Sequence, residues 1–179
     1  LRRLGIIMER LSLTLHPDKT RIVELGLGKQ GFVFLGCYLR VVLSHLKRRE
    51  YLFRWPSPRA MNRIRVRIRE LTDRRRWAGM KDIREVIRVL NPVLRGWGNY
   101  FRTGNASLKF QQIDSFVWRR LIKLLSKRGG DRRNPIRVKD WSLPHLVKER
   151  GLHRLVGTIR YPAGAHALSH RGPGTTLPG

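Results

Sequence analysis

Cysteine, acidic side chains and long apolar runs are all scarce in this sequence. The single cysteine, Cys37, excludes a disulfide within the chain and a zinc site built from several cysteines. No apolar run reaches the roughly 20 residues that a membrane-spanning helix requires. The start of the chain, interrupted by Arg2 and Arg3, does not have the pattern of a secretory signal. We therefore expect a cytoplasmic protein.

The shortage of acids decides what kind of partner the chain has. Only 12 Asp and Glu stand against 39 Lys and Arg, for a formal net charge of +27 over 179 residues. Arginine, which supplies most of the positive charge, is suited to bidentate phosphate contacts. The excess indicates a polyanion, either a nucleic acid or an acidic membrane surface. The charge is densest in the middle third, because 19 of the 39 basic residues lie between residues 58 and 128.

The first third of the chain has mainly the pattern of strands. Leu1 to Leu11 has helical spacing, and strands are predicted over residues 11–15, 19–25 and 32–39. A second strand pair, Val41–Leu46 and Tyr51–Trp55, flanks the basic turn Lys47-Arg48-Arg49-Glu50. That turn is typical of a solvated loop, although its cations could also contact phosphate.

Three amphipathic helices are predicted next. The first has Ser57 as its N-cap, Pro58 at its first position, an apolar stripe at Met61, Ile64, Ile68 and Leu71, and an end at Trp77-Ala78-Gly79. The second runs from Lys81 to Arg102 and ends at Gly104, with a kink or a break capped by Asn91 expected at Pro92. The third spans Ser107 to Lys127, with Phe110, Ile113, Val117, Leu121 and Leu124 facing inward. Apolar residues between Trp141 and Ile159 predict a short helical appendage, and the Gly- and Pro-rich tail is expected to be disordered.

The most informative stretch runs from Asn91 to Arg102. As a helix it places Trp97, Tyr100 and Phe101 on the apolar face that continues from Leu90, and Arg95, Asn99 and Arg102 on another face. The aromatics are expected in the core, whereas the polar set has too few acids nearby to pair with. Gly96 and Gly98 each cost about 1 kcal/mol of helix stability relative to Ala, which suggests that something large approaches the backbone there. The alternative is that the glycines only let a neighbouring helix pack.

These residues also carry a resemblance to a known family. Arg95-Gly96-Trp97-Gly98-Asn99-Tyr100-Phe101, preceded by Leu90-Asn91-Pro92-Val93-Leu94, resembles the thumb (maturase) domain signature of group II intron reverse transcriptases. In that family the domain binds the intron RNA, supports its splicing and steadies the template-primer duplex. The resemblance implies the same kind of partner for this chain.

Two earlier stretches resemble the end of a reverse transcriptase palm. Residues 13–20 are similar to the palm motif whose lysine, here Lys19, lies near the departing pyrophosphate. An ammonium there could neutralise charge or donate a proton. Phe32-Val33-Phe34-Leu35-Gly36 is similar to the primer-grip turn, which positions the growing end of the primer. Without the resemblance, Lys19 is equally well an exposed cation beside a turn, and the two Phe residues are strand core as well.

The family's polymerase chemistry uses metal ions held by palm carboxylates, normally with an adjacent pair beside a tyrosine. No two acids are adjacent in this sequence, and no His/Cys cluster suggests zinc. We therefore expect no catalytic residue, no metal site and no cofactor in these 179 residues, with Mg²⁺ needed only by a complete polymerase. The family's catalytic motif would precede Leu1, so we expect the chain to be part of something longer or one half of a split enzyme.

The predicted fold is α+β. Short antiparallel hairpins, the end of a reverse transcriptase palm, are followed by a three-helix thumb bundle and a small C-terminal appendage. The expected divisions are residues 1–56 for the palm remnant, 57–128 for the thumb or maturase-specific domain, 129–162 for the extension and 163–179 for the tail.

The predicted function is that of a maturase-type module that grips structured group II intron RNA and supports its splicing. The alternatives are a subunit that completes a split RNA-directed DNA polymerase, and an intron remnant without activity. Further implied partners are a template-primer duplex, a DNA target and a chain carrying the missing palm and fingers, but no membrane. The side chains expected to bind RNA are Arg59, Arg63, Arg67, Arg74, Arg75, Arg95, Asn99, Arg102, Arg119, Arg120 and Lys123.

Overall fold

The computed structural model describes residues 2–14, 16, 22–44, 49–126 and 141–160. These residues form a mixed fold in which a three-stranded antiparallel sheet precedes most of the helices. The elements are α1 (Arg2–Arg10), β1 (Phe32–Phe34), β2 (Cys37–Ser44), β3 (Arg49–Pro56), α2 (Pro58–Leu71), α3 (Ile83–Phe101), α4 (Ser107–Ser126) and α5 (Leu143–Arg150), with a 3₁₀ turn at Arg75–Trp77. None of the described helices is long and apolar enough to cross a membrane.

The sheet has the order β1-β2-β3, and the predicted single strand over residues 32–39 is wrong. The chain reverses at Leu35 and Gly36, so that Phe34 pairs with Cys37 and Phe32 pairs with Leu39. Both turn residues have positive φ, +46° at Leu35 and +74° at Gly36. This is the backbone of a type I′ hairpin, whose twist matches that of the flanking strands. The second predicted pair is confirmed, since β2 and β3 pair from Cys37–Pro56 to Ser44–Arg49.

The predicted strands before β1 are absent where the structure describes them. Residues 11–14 and 22–25 have no strand conformation, and the remainder of both segments lies outside the described residues. Ile7 and Leu11, expected on an apolar helix face, are 53% and 61% exposed. Alternation of apolar residues predicts a strand only where a partner strand or a core covers one face, and neither covers these residues in the described part of the chain.

Helix α2 begins as predicted and ends earlier. The hydroxyl of Ser57 accepts a hydrogen bond from the backbone N–H of Ala60 at 3.2 Å, with Pro58 in the first turn. The four stripe residues are all buried, namely Met61, Ile64, Ile68 and Leu71. The helix ends at Leu71 and Thr72 caps it, whereas Trp77 belongs to the separate 3₁₀ turn.

Helix α3 runs unbroken through Pro92, so the alternative of a break capped by Asn91 is wrong. Its N-terminus is fixed by a capping box in which Asp82 accepts from Arg84 N–H and Glu85 accepts from Asp82 N–H. A proline inside a helix costs about 3 kcal/mol. Burial of an apolar side chain recovers about 1.5–3 kcal/mol for each residue. The apolar face of α3 is buried on both sides of the proline, at Ile87, Leu90 and Leu94 among others, and this burial offsets the cost.

Helices α2, α3 and α4 share one apolar core. The inward residues predicted for α4 are confirmed, with Phe110, Ile113, Val117, Leu121 and Leu124 all buried. Among the described residues 141–160, the α-helix is Leu143–Arg150, so the predicted appendage is helical in its first part alone. Gly151 ends α5 in the left-handed conformation, and the following residues, 151–160, here called the C-terminal segment, pack on the core through Leu152 and Leu155.

The loop between α3 and α4 fastens the sheet to the helices. The backbone N–H of Asn105 donates to the carbonyl of Arg54 in β3 at 2.6 Å, and the Asn105 side chain accepts from Arg54 N–H at 3.3 Å. The guanidinium of Arg54 also donates to the hydroxyl of Thr103. Gly104 is required between them, because a Cβ there would collide with the Arg54 carbonyl. The sheet is therefore held in a fixed position against α3.

Candidate nucleic-acid interface

A cleft opens where the β1–β2 hairpin meets the first turns of α2 and the last turns of α3. Its volume is about 550 Å³. We call it the hairpin–helix cleft. Its lining residues are Val33, Leu35, Gly36, Ser57, Arg59, Ala60, Arg63, Trp97, Tyr100 and Phe101. Residues similar to the primer grip and to the thumb signature thus line the same cleft, together with two of the arginines expected to bind RNA.

Tyr100 joins the hairpin to α3. Its hydroxyl donates to the carbonyl of Leu35 at 2.7 Å, and its ring meets Phe101 edge-on at 4.8 Å between centroids. The ring is nevertheless 56% exposed, so its predicted core position is wrong. The backbone N–H of Ser57 donates to the carbonyl of Gly36 at 2.9 Å, which ties the same turn to the start of α2. The turn, α2 and α3 are therefore held in one arrangement around the cleft.

The other two aromatics of the signature form the floor of the cleft. Phe101 is 6% exposed and Trp97 is half-buried, with ring centroids 4.9 Å apart and Trp97 a further 5.6 Å from Phe110. The core position predicted for these two rings is confirmed. The indole N–H of Trp97 is buried and has no hydrogen-bond acceptor among the described residues.

The two glycines of the signature differ in what surrounds them. A Cβ on Gly98 would come within 2.6 Å of Leu155 Cδ2, so the close neighbour predicted here is the C-terminal segment. A Cβ on Gly96 would meet no atom of the described residues within 4 Å, so no part of the described chain approaches the backbone at Gly96.

Arg59 and Arg63 project from α2, one helical turn apart, at the wall of the cleft. Both are exposed, and neither has an ion pair or hydrogen bond with any other residue that the structure describes. Arg67, one turn further along, donates to Glu70 at 2.9 Å on the exposed surface. The charges of Arg59 and Arg63 are thus available to an external anion at the cleft.

The polar residues of α3 lie on a different side from the cleft. Arg95, Asn99 and Arg102, here called the α3 basic stripe, fall at i, i+4 and i+7 and follow the same face as Asn91 and Gly98. That face is bordered by the C-terminal segment, since the Asn91 side chain donates to Gly151 O and accepts from His153 N–H, both at 2.8 Å. Arg95 and Asn99 are exposed and Arg102 is half-buried. The stripe and the cleft are two surfaces of one helix.

A buried carboxylate holds the C-terminal segment beside this stripe. Asp114 of α4 is 4% exposed and accepts the backbone N–H groups of Leu155 and Val156, each at 3.0 Å. Burial raises the pKa of Asp114 above its ordinary value, while these two hydrogen bonds and the charges of Arg154 and His153 oppose the rise. Sequence reasoning missed this group, although Asp114 lies one turn from Phe110 and from Val117 on the predicted apolar face of α4, where a buried carboxylate needs hydrogen-bond partners.

His153 lies between the stripe and Asp114. Burial is the main cause that lowers its pKa, Arg95 lowers it further and Asp114 raises it. The imidazole is therefore held toward its neutral form, in which one ring nitrogen can accept a hydrogen bond. A phosphate placed beside Arg95 would favour the protonated form instead.

The cations predicted on α4 and at the end of α2 form a third group. Arg120 caps α2, because its guanidinium donates to the Thr72 hydroxyl at 2.9 Å and to the Thr72 carbonyl at 3.2 Å. The guanidinium of Arg120 is therefore hydrogen-bonded within the chain. The remaining members of the group are exposed, namely Arg74, Arg75, Arg119 and Lys123. Of these, Arg74 and Lys123 line a shallow pocket together with Arg120.

The primer-grip-like residues have mixed positions, and one predicted residue lies outside the described chain. Phe32 is half-buried, whereas Phe34 is 59% exposed and Leu35 is 69% exposed, so the strand-core interpretation is wrong for Phe34. Lys19 lies outside the described residues. The described ranges hold no group of three or more His, Cys, Asp or Glu that could bind a metal ion.

Comparison with known families identifies the helical part of the chain. Residues 61–141 match the family model described as "Group II intron, maturase-specific domain". This match fits the C-terminal portion of a group II intron reverse transcriptase/maturase, so the resemblance predicted from the sequence is confirmed. No curated protein matches the chain. The matched segment begins in α2 and includes the signature in α3 and all of α4.

Proposed function

Because residues 61–141 match the maturase-specific domain of group II introns, we propose that the chain grips structured intron RNA and supports its splicing. The observation that carries this proposal is the set of exposed arginines on α2 and α3 without acidic partners. Arg59, Arg63 and Arg95 have no ion pair among the described residues, in a chain of net charge +27. Without an external anion these cations would only repel one another.

The arrangement suits a folded RNA better than a flexible strand. The cations project from helices that share one core, so their spacing is fixed before binding. A partner with fixed phosphate positions then forms several contacts without ordering either molecule further. An unstructured strand would have to lose conformational freedom to satisfy the same array.

The salt dependence of binding tests the proposal. We expect the affinity for a structured RNA to fall steeply as salt rises, because each neutralised phosphate contributes about −0.9 to the log–log slope for duplex DNA. Replacing both Arg95 and Arg102 by Ala should reduce the steepness of that slope by about 1.8, if each guanidinium binds one phosphate. Circular dichroism should show unchanged helix content in the variant.

The matched control removes the same charge from outside residues 61–141, the segment that matches the family model. Arg10→Ala combined with Lys29→Ala lowers the net charge equally, at exposed positions on α1 and in the segment before β1. This control should change the slope much less. Equal losses in the two double variants, or an affinity that barely changes with salt, would contradict the proposal.

A second candidate function is completion of a split RNA-directed DNA polymerase. The hydrogen bond from Tyr100 to the Leu35 carbonyl favours it, because this bond links the primer-grip-like turn to the thumb signature. Mixing the chain with the catalytic part of a group II intron reverse transcriptase, a template-primer and Mg²⁺ should then increase primer extension over either component alone. No increase would leave the RNA-binding role as the only proposed one.

A further inference from the structure

The size and lining of the hairpin–helix cleft limit the kind of ligand that can occupy it. A cube of about 550 Å³ has an edge of about 8 Å. A nucleic acid duplex is wider than its own major groove, which is already roughly 12 Å across, so a duplex cannot enter. Stacked bases are spaced by about 3.4 Å, so the thickness of one base together with that of the ring it stacks on fits within this edge. The volume also lies within the usual range for small-ligand sites.

The exposed ring in this cleft is fixed in place. Tyr100 is held at one end by its hydrogen bond to Leu35 and on its side by Phe101. The same contacts that fix the hairpin turn also immobilise an exposed ring, which provides a stacking platform at low entropic cost. Single-stranded and unpaired nucleotides are recognised mainly by stacking on such rings.

The charges around the ring distinguish a nucleotide from an apolar peptide. Arg59 and Arg63 line the same wall, and no lining residue is acidic. An apolar peptide would leave both guanidinium groups without partners, whereas the phosphate attached to a bound base would pair with them.

We propose that the hairpin–helix cleft binds one unstacked nucleobase of a folded RNA, with its flanking phosphate held by Arg59 and Arg63. This rests on the proposed RNA binding and adds a site specific for an unpaired nucleotide. Bulges and internal loops would provide such a base, because their nucleotides can leave the helix at little cost.

The test compares two RNA hairpins that differ in a single base. Both carry a one-nucleotide bulge, an adenosine in one and an abasic sugar-phosphate in the other, so that charge and shape are otherwise equal. The whole chain should bind the adenosine hairpin about 5- to 150-fold more tightly, the range expected for one base stacked on one aromatic ring. Tyr100→Ala should remove this preference, and Tyr100→Phe should keep most of it because the ring remains.

Further variants separate the base from the phosphate. Arg63→Ala should weaken binding of both hairpins by a similar factor. Leu108→Ala, which removes a 72% exposed apolar side chain of α4 outside the cleft, should keep the preference unchanged. A preference that survives Tyr100→Ala in a folded variant would overturn the site.

Two outcomes distinguish this inference from the proposed function. Equal affinity of the wild-type chain for the two hairpins, with a steep salt dependence for each, would overturn the base site while RNA binding stands. The absence of salt-dependent binding to either hairpin would overturn both proposals.

Discussion

Asp114 allows a sharp test of how the C-terminal segment is held on the helices. Its carboxylate, 4% exposed, accepts hydrogen bonds from Leu155 N–H and Val156 N–H at 3.0 Å. Asp114→Ala would leave both donors without a partner in a largely apolar setting. An unsatisfied buried donor costs about 1–3 kcal/mol, so losing the partner of two donors should lower the free energy of unfolding by about 2–6 kcal/mol.

The pH dependence of that stability can be derived from the same contacts. Burial raises the pKa of Asp114 more than its hydrogen bonds and neighbouring cations lower it. The folded chain therefore keeps this proton to a higher pH than the unfolded chain, whose Asp titrates near about 3.9. The corresponding stability is fully present below the unfolded pKa and is lost as pH rises through the folded pKa.

Comparison with Asp114→Asn isolates this effect, because the amide has a similar shape and does not titrate. The stability of the wild-type chain relative to Asp114→Asn should decrease as pH rises from the unfolded pKa, about 3.9, through the raised pKa of the folded chain. Urea unfolding followed by circular dichroism at several pH values measures both proteins. Glu149→Gln, at an exposed carboxylate on α5, is the matched control and should shift stability by less than about 0.5 kcal/mol at every pH.

The opposite pH trend would refute this reasoning. If the relative stability of the wild-type chain increased with pH, the two N–H groups would stabilise the carboxylate more than burial destabilises it. The pKa would then be lowered in the folded chain. A difference that stays constant across the range would mean that Asp114 has the same pKa in both states.

Two further predictions use neighbouring residues as controls for each other. Gly96→Ala should stabilise α3 by up to about 1 kcal/mol, because its Cβ enters open space. Gly98→Ala should destabilise the chain by about 1–3 kcal/mol, because its Cβ collides with the buried Leu155. Thermal unfolding of both variants measures the difference, and equal shifts would contradict it. Arg120→Ala should lower the free energy of unfolding by about 1–2 kcal/mol, because the α2 cap is lost. Arg119→Ala, on the exposed face, should leave the unfolding midpoint in urea nearly unchanged. A larger loss of stability for Arg119→Ala than for Arg120→Ala would show that the capping contacts do not stabilise α2.

The helices could be predicted from the sequence because their signals are local. Ser57 and Pro58 mark the start of α2, and apolar residues at intervals of three and four define the buried faces of α2 and α4. Capping and amphipathic spacing depend on residues within one or two turns, so no knowledge of the tertiary structure is needed.

The hairpin was missed because its apolar residues continue through the turn. Residues 32–39 alternate poorly and contain no polar turn residue, so they have the pattern of one buried strand. Gly36 is a local signal for the turn, because Gly at the second turn position is typical of a type I′ hairpin. Leu35 at φ +46° is outside the usual preference for such turns, and its contact with Tyr100 involves residues 65 apart in sequence.

The candidate site also combines features that local spacing predicts with features that depend on tertiary contacts. Spacing within α3 separated the basic stripe from the aromatic face, and that separation is present in the structure. What spacing could not determine is which tertiary neighbour meets each face. The C-terminal segment borders the stripe and the hairpin borders the aromatics, and both contacts join residues about 60 positions apart or more.

The contacts of Tyr100 and Gly98 explain why the signature Arg95–Phe101 combines aromatic residues with glycine. The same side chain contributes an exposed ring to the cleft and a hydroxyl that fixes the hairpin turn. Gly98, two residues earlier, leaves the space in which Leu155 packs on the opposite side of α3. A single helix thus positions the hairpin on one side and the C-terminal segment on the other. Changes at Gly98 should therefore act through the C-terminal segment and the basic stripe, whereas changes at Tyr100 should act through the cleft.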